Sequence, residues 1–366
     1  MMNWTFLLDE RAAGRPVSNL DLKDKAVEFA RGIQGMDEFK GSDGWLRNWK
    51  KRNHVAVRRG TNESQKIPED YAEQIADFQD QIKRFRREHD YTAYNILNMD
   101  QTMCRFDMNP GATNEVRGGR DVRIASTGGA KRGFTVALCG SASGHKKPAY
   151  IVLKEPNGRI PPRVFANLRI PGNVRVTCSP NGWMTGEKMQ DWIQRILGPN
   201  NDDIRRLLVL DRARIHTMQA TRDTLNGSDI DHVFIPGGCT PIVQPADVCW
   251  NSAFKSEMRK QYKLWRRQDL RTAQGNLKMA SRQDVINWVS HAWANIDQQV
   301  LSRSFKCCGI TTAMDGSEDH MLTDNVPDAL NAADRQAYDG REGVDLIFDE
   351  EGEETDSEFE GFSDVE

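Results

Sequence analysis

Apolar residues in the first sixty positions recur at the spacing of short amphipathic helices. The pattern predicts three helices separated by polar turns, within WTFLLDERAAG, LDLKDKAVEFARGI and SDGWLRNWKKR. The third has the clearest boundaries, because Ser42 precedes it as a cap and Trp45, Leu46 and Trp49 form one apolar face. A polar stretch follows with one predicted helix, YAEQIADFQDQIKRFRREHD, which we interpret as a connector between two domains.

From Tyr91 onward, short apolar runs bounded by glycine and proline alternate with helical stretches. This pattern is typical of a mixed α/β domain. The predicted order is three strands, helix, strand, helix, strand, helix, with a further helix in VINWVSHAWANID. The strands lie within TAYNILNMD, RGFTVALCGSASG, KPAYIVLKE, IRRLLVLD and HVFIPGG, and the helices between them lie within MTGEKMQDWIQRILGP, HTMQATRDTL and residues 251–265.

The charge of the chain is divided between a basic body and an acidic end. The formal net charge is -3, yet residues 342–366 hold 12 Asp and Glu and no Lys or Arg. The rest therefore has 50 Lys and Arg against 41 Asp and Glu, a net +9, which favours a polyanionic partner. We expect the acidic run to be disordered and solubilising. Shielding of the basic surface and contact with basic proteins such as histones stay open.

Cysteine spacing and hydropathy exclude several classes of protein. The seven cysteines are scattered without CxxC pairs, so neither a disulfide framework nor a zinc site is indicated. No stretch approaches the roughly 20 apolar residues that span a bilayer, and the first residues lack the pattern of a signal peptide. We therefore expect neither a membrane protein nor a secreted one.

Three aspartates stand at related places in the α/β pattern. Asp100 and Asp211 each end a predicted strand, and Asp247 lies just before a predicted helix. Strand ends at one rim of an open α/β sheet bring distant side chains together. Carboxylate oxygens favour Mg²⁺ or Mn²⁺, and two such ions cleave or join phosphodiesters by activating a water or 3′-hydroxyl and stabilising the leaving oxygen. The alternative is that each aspartate caps a helix or begins a turn.

Basic residues surround the third predicted helix. Residues 40–60 contain one acid and seven bases, which are Lys40, Arg47, Lys50, Lys51, Arg52, Arg58 and Arg59. Phosphate contacts from such a face give salt-sensitive affinity for DNA, and the helix supplies base contacts. The alternative is a solvated helix face.

His216, five residues after Asp211, is interpreted as structural and stays outside the catalytic set.

Several segments match a known family in order along the chain. The aspartates fall in NMDQT, LLVLDRARIH and GGCTPIVQPADVCWNSAFK, and NGWMTGEKMQDWI and SFKCCGIT lie between and after them. These segments resemble the pogo and Tigger branch of DDE-superfamily transposases, which includes the Jerky-type proteins and centromere protein B. Upstream, FKGSDGWLRNWKKRN resembles the recognition-helix region of the CENP-B-type helix-turn-helix domain.

The resemblance implies an α/β, RNase H-like catalytic core preceded by a small all-α helix-turn-helix domain. It implies that Asp100, Asp211 and Asp247 are catalytic ligands of two Mg²⁺ or Mn²⁺ ions. It also implies that Trp45 is a core residue and that the basic residues face double-stranded DNA in the nucleus. The expected domains are 1–60 (DNA-binding), 61–92 (helical linker), 93–310 (endonuclease core) and 311–366 (polar to acidic, disordered tail).

Two departures from the family pattern bear on function. Gln101 stands where relatives commonly have Glu, which we expect to be tolerated because this residue is not one of the three ligands. Relatives usually carry two helix-turn-helix units, and we expect this chain to begin near or inside the second. Two functions stay open: a DNA endonuclease and strand transferase, or a domesticated, catalytically silent nuclear DNA-binding or chromatin protein. A homodimer also stays open.

Overall fold

The structure is a computed structural model that describes residues 2–12, 17–36, 38–55, 68, 70–109, 124–129, 132–199 and 204–322. The chain divides into two compact units, whose described parts lie within residues 1–63 and 64–345. All seven cysteines lie in the described residues and are free thiols. No helix within those ranges is long and apolar enough to cross a membrane.

Three helices form the first unit: α1 (Met2–Ala12), α2 (Asn19–Ala30) and α3 (Asp43–Arg52). The three predicted helices are therefore confirmed. Ser18 begins α2 through a reciprocal capping box with Asp21, in which each side chain accepts the other residue's backbone N–H. Ser42 begins α3 as predicted, because its Oγ accepts the N–H of Trp45 at 3.2 Å.

A small apolar cluster holds these helices together. Leu22 of α2 is buried against Leu46 and Trp49 of α3, which lie one turn apart on the inner face of that helix. Trp45 is half-buried on the same cluster and stacks on Trp49, with ring centroids 6.4 Å apart. The apolar face predicted for the third helix thus packs inward, and its basic residues are left on the other faces.

The second unit is built around one six-stranded sheet. Its elements are α4 (Tyr71–Glu88), β1 (Ile96–Arg105), β2 (Gly133–Ser141), β3 (Ala149–Lys154), α5 (Pro162–Asn167), β4 (Val174–Ser179), α6 (Gly186–Trp192), β5 (Arg206–Leu210), α7 (Arg214–Thr217), α8 (Gln219–Asn226), β6 (Ile230–Phe234), α9 (Thr240–Val243), α10 (Asn251–Arg266), α11 (Arg282–Ala294) and α12 (Gln298–Cys307). One π-helical turn, Ile193–Leu197, continues α6, and another, Ala246–Trp250, leads into α10.

The strand order is β4-β3-β2-β1-β5-β6. Strands β1, β2 and β3 are successive antiparallel neighbours, whereas β5 lies parallel to β1 and β6 lies parallel to β5. An antiparallel meander extended on the other side of β1 by parallel strands is the RNase H-like order, so the expected α/β fold is confirmed. Strand β4, which pairs in parallel with β3, was not predicted from the sequence.

Helices cover both faces of this sheet. Alternate residues of β1 point to opposite faces: Ile96 and Cys104 join the larger core cluster with α10, α11 and α12, whereas Leu97 and Met99 join a smaller one with α6 and α8. As a consequence, the neighbouring side chains of Asp100 and Gln101 lie on different faces of the sheet.

The interpretation of residues 61–92 as a linker is wrong for its described helix. Helix α4 is amphipathic, and Phe78 and Ile82 on its apolar face are buried in the larger core cluster. Arg86 of α4 donates to the backbone oxygen of Thr312 at 2.8 Å, and Thr312 is itself buried. An apolar helix face must be buried somewhere, so α4 belongs to the second unit, whose packed chain also continues beyond residue 310.

Candidate functional site

A buried asparagine joins the three chain segments that carry the aspartates. Asn98 of β1 pairs with Val209 of β5, and its Nδ2 donates to the Val209 oxygen at 2.9 Å. Its Oδ1 accepts the N–H of Ala246 at 3.1 Å, at the start of the π-helical turn. Asn98 therefore fixes β1, β5 and the segment that carries Asp247 beside one another.

Asp100 and Asp247 meet through the side chain of Asn251. The Nδ2 of Asn251 donates to Asp100 Oδ2 at 2.5 Å and to Asp247 Oδ1 at 3.1 Å. Asp247 and Asn251 lie four residues apart where the π-helical turn enters α10, so both face β1. Asp100 is only 7% exposed, whereas Asp247 remains exposed and gives the pair an opening to solvent.

Asp211 directly follows β5 and is held by groups at and just before α7. Its Oδ1 accepts the N–H of Ala213 at 3.0 Å and is hydrogen-bonded to Nδ1 of His216. His216 is 1% exposed, and its Nε2 lies 2.8 Å from Nε2 of Gln101. The Gln101 amide N–H donates to Nε2 of His216, so in the neutral ring Nδ1 carries the proton and donates to Asp211.

The site contains an excess of like charge. Burial, followed by repulsion from Asp247 and Asp211, raises the pKa of Asp100 well above its usual range. The pKa of Asp247 is also raised, because its carboxyl group is desolvated by its neighbours although the residue as a whole is exposed, and the Asn251 amide opposes this shift. At Asp211 burial alone would raise the pKa, but the hydrogen bond and charge of His216 lower it. The three carboxylates are therefore close enough to repel one another, which a bound cation relieves.

The three carboxylates have the chemistry that a divalent cation needs, but their present geometry does not form a complete cation site. Three carboxylates supply the oxygen ligands that Mg²⁺ and Mn²⁺ prefer. Among the described residues, however, no three His, Cys, Asp or Glu side chains surround a single point as metal ligands. The repulsion among Asp100, Asp211 and Asp247 shows that the three carboxylates lie in one region. The side-chain amide of Asn251, however, lies between Asp100 and Asp247. A cation there requires local side-chain rearrangement.

The predicted DNA-binding residues are distributed unevenly around α3. Lys40, Arg47, Lys51 and Arg52 are exposed, as a phosphate-binding face requires. Lys50 is half-buried and donates to Oδ1 of Asn19 at the start of α2, so part of its binding capacity is used within the unit. Arg58 and Arg59 lie outside the described residues.

Sequence reasoning did not select His216, Gln101 or Asn251. His216 was set aside as structural, and the structure shows it buried and bonded to Asp211. The signal was available in LLVLDRARIH, where five residues separate a strand-end aspartate from a histidine. Asn251 was part of the third aspartate motif, and its position four residues after Asp247 indicates the same helix face.

Two regions of the chain match described protein families. Residues 131–305 match the DDE superfamily endonuclease family, and residues 3–59 match the Tc5 transposase DNA-binding domain. The first match includes Asp211 and Asp247 and begins after Asp100. A helix-turn-helix DNA-binding region joined to an endonuclease-type α/β core defines the class of the protein as transposase-derived.

The relatives narrow this class. The human protein "Pogo transposable element with KRAB domain" is 28% identical over 315 residues, covering 84% of this chain and 51% of that protein. The human "Jerky protein homolog" is 27% identical over 258 residues, covering 67% of this chain and 43% of that protein. The chain is of the pogo/Tigger type of transposase-derived proteins. It spans about half the length of the curated relatives that it matches.

A solved structure is also similar. The crystal structure of a pre-cleavage Mos1 transpososome aligns with a TM-score of 0.47 and 13% identity, covering 80% of this chain and 76% of that chain.

Proposed function

We propose that this protein binds double-stranded DNA and cuts and joins its phosphodiesters with divalent cations held by Asp100, Asp211 and Asp247. One observation carries the proposal: three carboxylates from distant parts of the chain lie in mutual repulsion at the sheet, and Asn98 ties their segments together. Strongly perturbed acidic groups clustered at an opening to solvent are typical of functional sites.

The residues of the chain divide the work as follows. Two Mg²⁺ or Mn²⁺ ions would supply the activation of a water or 3′-hydroxyl and the stabilisation of the leaving oxygen. Asp100 and Asp247, which Asn251 of α10 contacts, and Asp211, which His216 of α7 contacts, would each supply carboxylate oxygens to these ions. His216 orients Asp211, because its donated hydrogen bond fixes one carboxylate oxygen and leaves the other for a ligand.

The first unit supplies affinity for DNA in this proposal. The exposed bases of α3 and its N-terminal approach contact phosphates, which makes binding sensitive to salt, and α3 itself reads bases in the major groove. The residues proposed for these contacts are Lys40, Arg47, Lys50, Lys51, Arg52, Arg58 and Arg59. Such a DNA partner makes the nucleus the proposed location.

The full chain tests the catalytic part directly. Incubation with supercoiled plasmid and a labelled linear duplex, in Mg²⁺ or Mn²⁺, should produce nicked and joined products. Asp211→Asn should abolish both reactions and weaken Mn²⁺ binding measured by titration calorimetry, because it removes a charged ligand. If the wild-type chain neither nicks nor joins DNA in either metal, and Asp211→Asn leaves Mn²⁺ affinity unchanged, the catalytic proposal is wrong.

A second candidate is a catalytically silent DNA-binding or chromatin protein. It is favoured by the Asn251 N–H between Asp100 and Asp247 and by the lack of a preformed three-ligand arrangement among the described residues. This candidate predicts that wild type and Asp100→Ala bind duplex DNA equally and that neither cleaves it. Cleavage by the wild type that is lost in Asp100→Ala would exclude it.

We also propose a homodimer, which would present one catalytic site to each of two DNA ends. Sedimentation of the full chain with and without duplex DNA tests this point, and a monomer in both conditions would contradict it.

Residues 342–366 are proposed as a contact for basic proteins, with solubility as the alternative. Pull-down of purified histones by the full chain, compared with a chain in which these acids are neutral, separates the two roles.

A further inference from the structure

Only one of the two polar atoms in the side-chain amide of Asn251 has hydrogen-bond partners. Its Nδ2 bonds to both Asp100 and Asp247, but its Oδ1 is buried and has no hydrogen-bond partner among the described residues. The residue as a whole is 8% exposed. A buried carbonyl oxygen without a hydrogen-bond partner is destabilising, so its presence beside a cluster of carboxylates needs a physical reason.

The backbone of Asn251 is fixed while its amide is free to turn. Its N–H donates to the oxygen of Ala246 in the π-helical turn, and the adjacent Trp250 and nearby Phe254 are fully buried. The last torsion of an asparagine side chain joins an sp³ to an sp² carbon, so its energy profile is broad and roughly two-fold. A half-turn exchanges Nδ2 and Oδ1 without moving the helix.

The present orientation of the amide is incompatible with a cation between the two carboxylates. The N–H groups carry partial positive charge and point at Asp100 Oδ2 and Asp247 Oδ1, where a cation would be attracted. The opposite orientation would direct a carboxamide oxygen to the same place. Side-chain carbonyl oxygens are regular ligands of hard divalent cations.

We propose that Asn251 is a further ligand residue of the divalent-cation site, and that its amide turns to present Oδ1 beside Asp100 and Asp247 when the cation binds. This inference rests on the proposed function. When the amide rotates, the two hydrogen bonds donated by Nδ2 are lost, and attraction of both carboxylates to the cation replaces them. The unpartnered Oδ1 gains the cation as its partner. The competing account makes Asn251 a clamp that only holds the two carboxylates together.

Mn²⁺ binding to the full chain separates the two accounts without reference to activity. Asn251→Leu has a similar volume and no polar atom, whereas Asn251→Asp keeps an oxygen at the same position. If Oδ1 is a ligand, Asn251→Leu weakens Mn²⁺ affinity by about tenfold or more, and Asn251→Asp binds at least as tightly as the wild type. If Asn251→Leu binds Mn²⁺ as tightly as the wild type, or more tightly, Asn251 is only a clamp.

A measurement on the wild-type chain keeps the test decisive if Asn251→Leu does not fold. With ¹⁵N-labelled asparagine, the side-chain NH₂ signals of Asn251 can be assigned by their absence in Asn251→Asp. Saturating Mg²⁺ should shift these signals strongly, because the NH₂ leaves two carboxylates. Unchanged NH₂ signals at saturating Mg²⁺ would overturn the inference.

The outcome also separates this inference from the proposed function. A wild-type chain that binds neither Mn²⁺ nor Mg²⁺ contradicts the metal-dependent function and the inference together. A wild-type chain that binds Mn²⁺, with Asn251→Leu binding equally well, contradicts the role of Asn251 alone.

Discussion

The side chains around the aspartates decide how each carboxylate is held. Asp211 depends on His216 and, through that ring, on Gln101, whereas Asp100 and Asp247 depend on Asn251. Because Asp100 and Gln101 are consecutive in β1, they project to opposite faces of the sheet. One strand therefore supplies a carboxylate to the site and a partner for the histidine that orients another.

Gln101 provides a test of this support. Gln101→Leu should leave Nε2 of His216 buried without a partner and cost about 1–3 kcal/mol of unfolding free energy, measured by urea denaturation. Gln101→Glu keeps the length and shape of the side chain but replaces the donor with an acceptor, so it separates loss of the donated hydrogen bond from loss of side-chain shape. Equal stability of Gln101→Leu and the wild type would show that the Gln101 contact contributes nothing to holding His216.

At the scale of elements, the sequence pattern predicted most strands and longer helices, but it missed strand β4 and helices α5, α9 and α12, and it misinterpreted helix α4. Strand β4 was missed because VRVTCS is short and mixes apolar with polar positions, which is the pattern of an edge strand. Helix α4 was recognised as a helix and misread as a linker. Amphipathic periodicity shows that a helix has an apolar face, but it does not show which partner buries that face.

Helix α4 gives the first prediction at this scale. Phe78→Ala should cost about 3–5 kcal/mol of unfolding free energy, because Phe78 is 3% exposed and belongs to the main core cluster. Tyr71→Ala in the same helix is the control and should be nearly neutral, since Tyr71 is 42% exposed. A similar, small effect of both substitutions would restore the linker interpretation.

The N-terminal cap of α3 gives the second prediction at the scale of elements. Ser42→Ala should destabilise α3 by about 1 kcal/mol, seen as faster hydrogen exchange of its amides, and should weaken duplex DNA binding because the basic face frays. Ser18→Ala removes the corresponding cap of α2 and serves as the control. If both variants lower DNA affinity equally, the effect comes from general destabilisation of the first unit rather than from α3.

At the scale of the whole molecule, net charge conceals two opposite electrostatic regions. The first 341 residues carry +9 and residues 342–366 carry -12, which together give the formal net charge of -3. These acidic residues, for which we predict disorder, lie outside the part of the chain that the structure describes. Their charge alone is nevertheless expected to compete with DNA for the basic surface.

Removing the acidic residues tests this competition. A chain without residues 342–366 should bind duplex DNA more tightly at low salt, and the difference should shrink as ionic strength rises, because salt screens exposed charges. A chain of full length in which these acids become Asn and Gln is the control for length. If the neutral chain binds like the wild type, the charge of the acidic residues has no effect on DNA affinity.

The helices of the first unit, the α/β pattern of the second and the three candidate aspartates could all be predicted along the chain. Helical and strand periodicity, capping residues and ordered motifs are local features, so they are readable along the chain. The edge position of β4, the burial of α4, and the contacts of His216 and Asn251 with the aspartates could not be predicted in this way and follow from tertiary packing. The contact of Asn251 with Asp100 joins residues more than a hundred positions apart, and so does the contact of His216 with Gln101. They arise from strand pairing and packing, which no local pattern specifies.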